Sequence, residues 1–417
     1  MNSQPSTKAD NQRNGMLKYI PFMLAILSST IIYFDKNLLQ LAIIPIRSQF
    51  SLSAGQAGLL MSAYSLGYAI IGLPGGWLID RFGYKRVIIV CMALATLTSF
   101  SFSLASTLLL FITIRFVMGA AHASIPSATT KIIATNYDEK QKMFLQSFSF
   151  LSSNLGSFIA TSFGAYLIAI NWKYSYWCVV ILYIITILLI IKFLPTRTDF
   201  GKNIKSTESQ TNKSISIKTV FSNSNVWILA IGVFCFNLFL NGYNMWLASF
   251  LSTTRHMSMG QIGGILSISN IVGLGSAPLA GILLSKLFKN KEKYFILLSA
   301  IAASVVAYFV VTATNPIVIT IAIFINTYFA LFPFVAVKTI PHVIINEKII
   351  GSTMGAITTV SSLGGLVAPT LLGLIIDMTK GNFQFGYFVL IGIMIIGGLA
   401  CLLLSFKTSI SDKSRNQ

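Results

Sequence analysis

The stretch Gly76-Trp77-Leu78-Ile79-Asp80-Arg81-Phe82-Gly83-Tyr84-Lys85-Arg86 decides the fold of this chain. It packs one acidic and three basic residues between two long apolar segments, the second of which begins at Val87. Because charges are costly inside a bilayer, such a dense group between membrane-length runs predicts a short loop at the lipid–water boundary. The glycines fit a tight turn, since glycine tolerates close backbone approach and positive φ.

The composition indicates an integral membrane protein. The 417 residues are 54% hydrophobic and 10% charged, with a mean hydropathy of +0.76, whereas a soluble domain carries about 25% charged residues. Backbone hydrogen bonding in lipid and the absence of alternating hydrophobicity favour helices over a barrel. Twelve apolar runs reach the length of about 20 residues that a spanning helix needs. They cover 17–45, 55–79, 87–106, 108–133, 143–170, 175–194, 225–251, 260–285, 294–314, 316–337, 352–376 and 385–406.

The net charge of +19 reflects membrane topology. With the N-terminus inside, four of the 30 Lys and Arg residues lie in outer loops and two lie within helices, which leaves 24 in the termini and inner loops. This is the positive-inside rule, and it predicts cytoplasmic termini in the cell's inner (cytoplasmic) membrane. The expected partner of the basic excess is anionic membrane lipid and not nucleic acid. The four outer residues are Arg47, Lys173, Arg255 and Lys380.

The chain divides into two related halves. We predict a cytoplasmic tail at 1–16, a six-helix bundle at 17–194, a cytoplasmic linker at 195–224, a second six-helix bundle at 225–406 and a tail at 407–417. Two patterns recur between the halves: Ser53-x-Gly55-Gln56 returns as Ser258-x-Gly260-Gln261, and Ser152-Ser153-x-x-Gly156 returns as Ser361-Ser362-x-x-Gly365. The expected architecture is all-α, with twelve transmembrane helices in two pseudo-symmetric bundles.

Four ionisable residues fall inside predicted helices: Asp35, Lys36, Arg115 and His122. Each is a functional candidate, because a charge at the bilayer centre costs about 2.5–3.5 kcal/mol. At 1.5 Å per residue, Asp35 lies about 13 Å and Arg115 about 10 Å below the outer ends of helices 1 and 4, so the two can share one level. A purely structural Asp35–Arg115 ion pair is the alternative. His122 lies two turns from Arg115 on the same face, and a satisfied core histidine is its alternative.

The charge inventory points to an anionic ligand. Two fixed cations against one carboxylate leave one positive charge uncompensated, and an anionic substrate would supply the missing charge. Arginine suits carboxylates through its bidentate fork. The sequence contains no metal-ligand spacing and no nucleophile–base set, so we expect neither an enzyme nor a metal site, and no cofactor beyond a coupling proton or other cation.

The C-terminal half offers neutral polar groups instead of charges. Asn241, Tyr243 and Asn244 on helix 7 and Asn326 on helix 10 are predicted to bind substrate together with Arg115 and Lys36. The alternative role for these neutral groups is interhelical hydrogen bonding. Charged binding in one half and neutral recognition in the other would suit an acid that carries hydroxyl groups.

The opening string resembles the loop between helices 2 and 3 of the major facilitator superfamily, and the resemblance extends over nearly the whole chain. It implies that substrate binds between the two halves at mid-depth. It also implies that the string is a conformational latch, in which Asp80 holds the outward-facing state from the cytoplasmic side. The latch residues are Gly76, Asp80, Arg81, Gly83, Lys85 and Arg86.

Other motifs are similar to the anion:cation symporter family, which includes proton-coupled hexuronate and galactonate transporters, sialin and the vesicular glutamate transporters. The motifs are Tyr33-Phe34-Asp35-Lys36, Leu73-Pro74-Gly75-Gly76-Trp77, Arg115-Phe116-Val117-Met118-Gly119, Trp246-Leu247 and Gly364-Gly365-x₃-Pro369-x₃-Gly373. The resemblance implies that Arg115 contacts the substrate carboxylate and that Asp35 couples protons. Two positions depart from the family: Lys36 stands in place of an arginine, and His122 stands where members place a coupling glutamate.

Together these features predict a secondary active transporter of a small organic anion, a sugar acid or other carboxylate. We expect proton symport by rocker-switch alternating access and a monomeric protein, with proton coupling through Asp35 and His122. Two alternatives stay open: an exporter of a drug or siderophore, and a transporter-like sensor without flux. Helix 5 lacks the Gly-Pro signature of drug antiporters, since its stretch reads Asn154-Leu155-Gly156-Ser157.

Overall fold

Apolar helices make up almost all of the chain that the structure describes. The computed structural model describes residues 19–194, 224–345 and 350–405. In these ranges eleven helices are long and apolar enough to cross a membrane, and the bent pair Ala54–Gly72 and Pro74–Phe82 makes a twelfth span. The predicted all-α fold is therefore confirmed. The predicted tails at 1–16 and 407–417, and the linker at 195–224 except Ser224, lie outside the described residues.

We number the spans α1 to α12. Nine have unbroken bounds: α1 Ile20–Phe50, α2 Ala54–Phe82, α3 Tyr84–Leu104, α6 Trp172–Phe193, α7 Ser224–Arg255, α9 Glu292–Thr312, α10 Pro316–Thr339, α11 Ile350–Met378 and α12 Phe383–Cys401. Three are interrupted: α4 (Leu108–His122, Ile125–Asn136), α5 (Glu139–Ile159, a π-helical turn Ala160–Gly164, Ala165–Ile170) and α8 (Met259–Val272, a 3₁₀ turn Gly273–Gly275, Ser276–Lys286). A one-turn helix, Pro341–Ile344, follows α10.

Contacts divide the described chain into two compact units. The N-terminal unit holds residues 19–39 and 66–194, and the C-terminal unit holds 40–65, 224–345 and 350–405. The division follows the predicted halves except at 40–65, where the end of α1 and the start of α2 pack with the C-terminal unit.

Breaks in the helices follow local chemistry. The 51° bend in α2 falls just before Pro74, because proline lacks the N–H that would bond the preceding turn. α4 breaks at Ala123 and Ser124, directly before a segment that carries Pro126 in its first turn. The residues on both sides of each break are apolar, so hydrophobicity alone does not reveal it. The sequence therefore predicted one continuous helix for α2 and one for α4.

The loop between α2 and α3 is a single residue, Gly83, with φ of +81°. The predicted tight turn is therefore present at this glycine. The charged residues of the opening string do not lie in a loop but in the last turn of α2 and the first turn of α3. Gly76 is different again, because it lies inside α2, where an added Cβ would meet open space.

The first sequence repeat marks the starts of two equivalent helices. At the start of α2, the backbone N–H of Gln56 donates to Ser53 Oγ at 3.2 Å. The backbone N–H of Ser53 in turn donates to Gln56 Oε1 at 2.9 Å. Ser258 and Gln261 form the same pair at α8, at 3.3 and 2.9 Å. Each pair is a capping box, which satisfies amides that have no partner within the helix.

The second repeat marks close helix contacts. A Cβ on Gly156 of α5 would lie 2.5 Å from the Thr30 carbonyl oxygen of α1 and 2.6 Å from Tyr33 Cβ. In the C-terminal unit, Gly365 of α11 lies against α7, where a Cβ would come within 3.1 Å of the Asn237 and Asn241 amides. The repeated glycines therefore let α5 approach α1 and α11 approach α7.

We predict that Gly156→Ala destabilises the purified protein by about 1–3 kcal/mol, because the added methyl group overpacks against the α1 backbone. Thermal unfolding in detergent, followed by fluorescence, measures the change. Gly392→Ala on α12 is the matched control, since a Cβ there meets nothing within 4 Å. Equal melting temperatures for the two variants would contradict the contact.

Candidate functional site

The candidate site is a cluster of ionisable groups inside the N-terminal unit. Asp35 lies midway along α1 and is fully buried, with a relative exposure of 0%. The sequence placed it about 13 Å from the outer end, and this estimate was wrong, because α1 continues through Arg47, Ser48 and Gln49 to Phe50. Those polar residues had indicated a loop, whereas the helix places Asp35 about 22 Å from either end.

The Asp35 carboxylate accepts hydrogen bonds from two hydroxyl groups. Ser99 of α3 donates to Oδ2 at 2.6 Å, and Tyr183 of α6 donates to the same oxygen at 3.0 Å. The other oxygen, Oδ1, is buried and has no hydrogen-bond partner within the described ranges. A buried carboxylate needs such donors, since an unpaired charge in a medium of low dielectric constant is strongly unfavourable.

His122 completes a three-residue chain with Asp35 and Tyr183. Its Nε2 lies 2.9 Å from the Tyr183 hydroxyl oxygen and 3.7 Å from Asp35 Oδ2. His122 is fully buried and ends the first segment of α4, where the helix breaks. The hydroxyl of Tyr183 thus lies between two titratable side chains from different helices.

Arg115 and Lys36 supply the positive charge. Arg115 is 1% exposed, and it interacts electrostatically with Asp35, Lys36 and His122. One of its guanidinium nitrogens, Nη1, donates to Met118 Sδ at 3.3 Å. Lys36 is half-buried, with its ammonium 5.9 Å from the centre of the Tyr33 ring. The structure therefore brings all four predicted intramembrane ionisable residues into one cluster.

Sequence reasoning missed three members of this cluster: Ser99, Tyr183 and Tyr176. Each stands in an apolar run, where a single hydroxyl carries little weight beside the charged residues. Tyr176 lies on α6 two turns before Tyr183 and is also fully buried, but its hydroxyl has no hydrogen-bond partner among the residues described. A search for hydroxyls at helical spacing opposite the charges would have found Tyr183.

The predicted polar residues of the C-terminal unit fall into two groups. Asn244 is exposed and Asn241 is half-buried, with its amide donating to Asn237. Asn326 is 1% exposed and donates to the Ala303 carbonyl of α9 at 2.9 Å. Tyr243 is 4% exposed, and its ring packs edge-on against Tyr387 of α12, with 5.6 Å between the ring centres. For Asn326 and Tyr243 the geometry favours the alternative role, which is packing and hydrogen bonding between helices.

The latch residues make their described contacts within the N-terminal unit. Asp80 pairs with Lys131 of α4 at 2.9 Å, with 65% and 39% of the two side chains exposed. Arg81 lies over the Trp77 ring at 5.1 Å, and Lys85 donates to the Ile191 carbonyl at 3.0 Å. Arg86 is exposed. An exposed ion pair contributes about 0–1 kcal/mol, so the Asp80–Lys131 pair is weak enough to open and close.

A second carboxylate, which sequence analysis did not single out, holds a helix end in the C-terminal unit. Asp377 near the end of α11 accepts from the Ala54 amide at 2.8 Å and from the Gly55 amide at 2.7 Å, at the start of α2. Anionic groups stabilise helix N-termini through the unpaired amides and the helix dipole. Two glycines make the approach possible, because a Cβ on Gly58 or Gly373 would clash with the backbone of the opposite helix.

The ends of α1 and α7 join the same contact. Trp246 Nε1 donates to the Pro369 carbonyl at 3.0 Å, and the Arg47 guanidinium lies 5.7 Å from the Trp246 ring centre. A cavity of about 380 Å³ opens beside it, lined in part by Arg47, Asp377 and Ser249. These contacts join the ends of α1, α2, α7 and α11 within the C-terminal unit.

We predict that Asp377→Asn loosens this contact, because the neutral amide loses the charge-assisted bonds to two backbone amides. The readout is maleimide labelling of Ser249→Cys, a position now 2% exposed, in a background without the four native cysteines. The rate should rise at least threefold. Thr370→Val is the control, since it removes only a neutral bond to Ser62, and an equal rate in both variants would contradict the role of charge.

Comparisons with known proteins agree with this architecture. The chain is 24% identical over 390 residues to the hexuronate transporter of Bacillus subtilis, covering 90% of this chain and 92% of that protein. It is 22% identical to a probable sulfoacetate transporter of Cupriavidus necator, covering 90% and 91%. Among solved structures, a bacterial homologue of the human lysosomal transporter Spinster matches with a TM-score of 0.80 at 15% identity, covering 96% and 97%.

These relatives confirm the resemblance to the anion:cation symporter group within the larger superfamily. They are transporters and not enzymes, and the same holds for this multi-pass membrane protein. The family model described as Major Facilitator Superfamily matches residues 25–369. The chain belongs to the Major Facilitator Superfamily.

Proposed function

We propose that this protein is a proton-coupled symporter of a small organic anion, a sugar acid or other carboxylate, that works by rocker-switch alternating access. The observation that carries the proposal is the buried cluster of Asp35, Arg115 and His122 in the N-terminal unit. The curated relatives support the substrate class, since their names refer to hexuronate and sulfoacetate.

Charge balance supports an anionic substrate. Arg115 and Lys36 carry two positive charges against the single negative charge of Asp35. A substrate carboxylate would restore neutrality, and the planar guanidinium group of Arg115 offers it two parallel hydrogen bonds. Lys36 would act as a second, more flexible charge. In the C-terminal unit, the exposed Asn244 and half-buried Asn241 are suited to bind the hydroxyl groups of a sugar acid.

Proton coupling is proposed at Asp35 and His122. When substrate binds Arg115, that arginine no longer compensates Asp35, and the carboxylate can take up a proton instead. Substrate binding and protonation would then favour one another by reciprocal linkage. The proton, or another cation in its place, would be the coupling ion.

We place the protein in the cytoplasmic membrane as a monomer, with both termini in the cytoplasm, since the basic residues concentrate in the loops after even-numbered spans. On this topology the contact around Asp377 lies on the outer side of the membrane.

Uptake into proteoliposomes tests the function directly. Purified protein is reconstituted and offered a labelled panel of glucuronate, galacturonate, galactonate, succinate and glutamate, with and without an inward proton gradient. We expect accumulation of a sugar acid that collapses when the gradient is removed. Export of a cationic drug or a siderophore, with no uptake of any acid, would favour the exporter alternative, and the absence of all flux would favour a sensor.

The first prediction of this proposal concerns Arg115. Arg115→Lys keeps the charge but loses the bidentate fork, so exchange of the accepted acid should fall at least tenfold while the protein still inserts and stays monodisperse. Lys36→Arg is the companion variant, because it retains charge and adds a fork, and it should keep transport. An unchanged apparent affinity and rate in Arg115→Lys would remove Arg115 from the substrate contact.

The second prediction separates coupling from binding. Asp35→Asn should abolish accumulation driven by a pH gradient but leave substrate counterflow, which needs no net proton movement. Asp138→Asn is the control, because Asp138 is an exposed carboxylate at the start of α5. If Asp35→Asn still concentrates substrate, Asp35 is a structural partner of Arg115 and the coupling proton binds elsewhere.

A further inference from the structure

Tyr183 occupies a position that neither the charge pattern nor the proposed function requires. Its hydroxyl oxygen lies 3.0 Å from Asp35 Oδ2 and 2.9 Å from His122 Nε2, and all three side chains are fully buried. We propose that Tyr183 is a positioning residue that joins Asp35 and His122 into one proton-sharing unit, so that proton binding at either group depends on the other.

The distances favour a route through the hydroxyl. Asp35 Oδ2 and His122 Nε2 are 3.7 Å apart, beyond the range of a hydrogen bond. Both contacts to Tyr183 lie within that range. A hydroxyl can donate one hydrogen bond and accept another, so Tyr183 can donate to the carboxylate while it accepts from the imidazole.

The proton transfer balances without any further reactant. It starts from an Asp35 carboxylate, a neutral Tyr183 and a doubly protonated His122. The Nε2–H bond of His122 and the O–H bond of Tyr183 break, while new O–H bonds form on Tyr183 and on Asp35 Oδ2. The products are a carboxylic acid, an unchanged tyrosine and a neutral imidazole, so the net charge of the unit stays constant.

The proton-sharing group of Asp35, Tyr183 and His122, together with the charged and hydroxyl groups around it, comes from four helices. α1 contributes Asp35 and Lys36, α3 contributes Ser99, α4 contributes His122 and Arg115, and α6 contributes Tyr183 and Tyr176. Transfer between Asp35 and His122 leaves the net charge of the proton-sharing group unchanged. The fixed charges of Arg115 and Lys36 therefore bias which residue holds the proton during this transfer, and the transfer itself does not change the number of protons bound. A substrate anion at Arg115 would alter that bias.

The chain supplies two matched controls. Tyr176 lies on the same helix, is equally buried and interacts electrostatically with Asp35, but its hydroxyl has no hydrogen-bond partner in the described part of the chain. Ser99 donates to the same Asp35 oxygen as Tyr183, and no described contact joins it to His122. Tyr176→Phe therefore removes a nearby hydroxyl without the bridge, and Ser99→Ala removes a donor to Asp35 without the bridge.

The test reads the proton on Asp35 directly and does not need substrate. The C=O stretch of protonated Asp35, identified by its loss in Asp35→Asn, is titrated against pH by infrared spectroscopy of the protein in nanodiscs. His122→Gln should shift the midpoint by about one pH unit, a tenfold change in proton binding. In a Tyr183→Phe background, the shift of the Asp35 midpoint caused by His122→Gln should be less than half of its size in the otherwise wild-type protein. In Tyr176→Phe and Ser99→Ala backgrounds the shift should keep its full size.

Two results would overturn the proposal: a full shift in the Tyr183→Phe background, or an equal loss of the shift in the Ser99→Ala background. If Tyr183→Phe does not fold, difluorotyrosine at position 183 keeps the ring and strengthens the donor. It should then move the Asp35 midpoint more than difluorotyrosine at position 176, and equal midpoints would overturn the bridge.

The role of the bridge in transport rests on the proposed function and has its own measurement. With the sugar acid accepted in the uptake panel, Tyr183→Phe should retain counterflow but lose at least fivefold of gradient-driven accumulation, while Tyr176→Phe retains both. If the wild-type protein moves no acid, the proposed function fails while the infrared titration still decides the bridge. If acid moves and Tyr183→Phe accumulates it normally, the bridge has no part in coupling.

Discussion

A carboxylate buried in the middle of α1 must be compensated, and this requirement organises the N-terminal unit. Asp35 has no exposed surface, so the polar groups that face it supply the interactions that stabilise its charge. Ser99 from α3, Tyr183 from α6, and His122 and Arg115 from α4 converge on Asp35. The four helices are therefore tied together at their centre by electrostatics as well as by packing.

The two units share a framework but not a chemistry. The capping boxes at Ser53 and Ser258 and the close contacts at Gly156 and Gly365 occur in equivalent places, because helix starts and helix approach impose the same requirements in both units. The buried cluster of charged groups at mid-helix lies in the N-terminal unit, whereas charged residues in the described spans of the C-terminal unit, such as Arg47 and Asp377, lie near helix ends. The repeat therefore conserves the helix ends and close packing, but not the buried charged cluster.

Much of the fold could be predicted from sequence, because apolar runs of membrane length allow few alternatives. A short turn between α2 and α3 also followed from the density of charges there, although the charges lie in the flanking helix ends and Gly83 alone forms the turn. What the sequence did not show depends on tertiary contacts. The extension of α1 beyond Pro45 needs partners in the C-terminal unit, and the interruption of α4 after His122 reflects proline chemistry that apolar periodicity does not register.

The candidate site was predictable in part, for the same reason. Charged residues in apolar runs stand out, so Asp35, Arg115 and His122 were found. Hydroxyl-bearing residues do not stand out in the same way, because the role of a Ser or Tyr in a helix depends on which side chains it contacts. Tyr183 differs from Tyr176 solely in its neighbours. The cap that Asp377 forms on α2 joins residues more than three hundred positions apart, which no local pattern encodes.

The length of α1 has a mechanical consequence. Its 31 residues extend about 47 Å, against about 30 Å for the hydrocarbon core, so the helix must incline or project from the bilayer. The equivalent helix α7 has 32 residues. Asp35 lies midway between Ile20 and Phe50. Tilting such a rod by about 20° around its middle would swing each end by about 8 Å and leave the centre almost still. The buried carboxylate thus lies at the point of the helix that moves least when the helix tilts. Its hydrogen bonds would therefore be disturbed less than any contact near the helix ends.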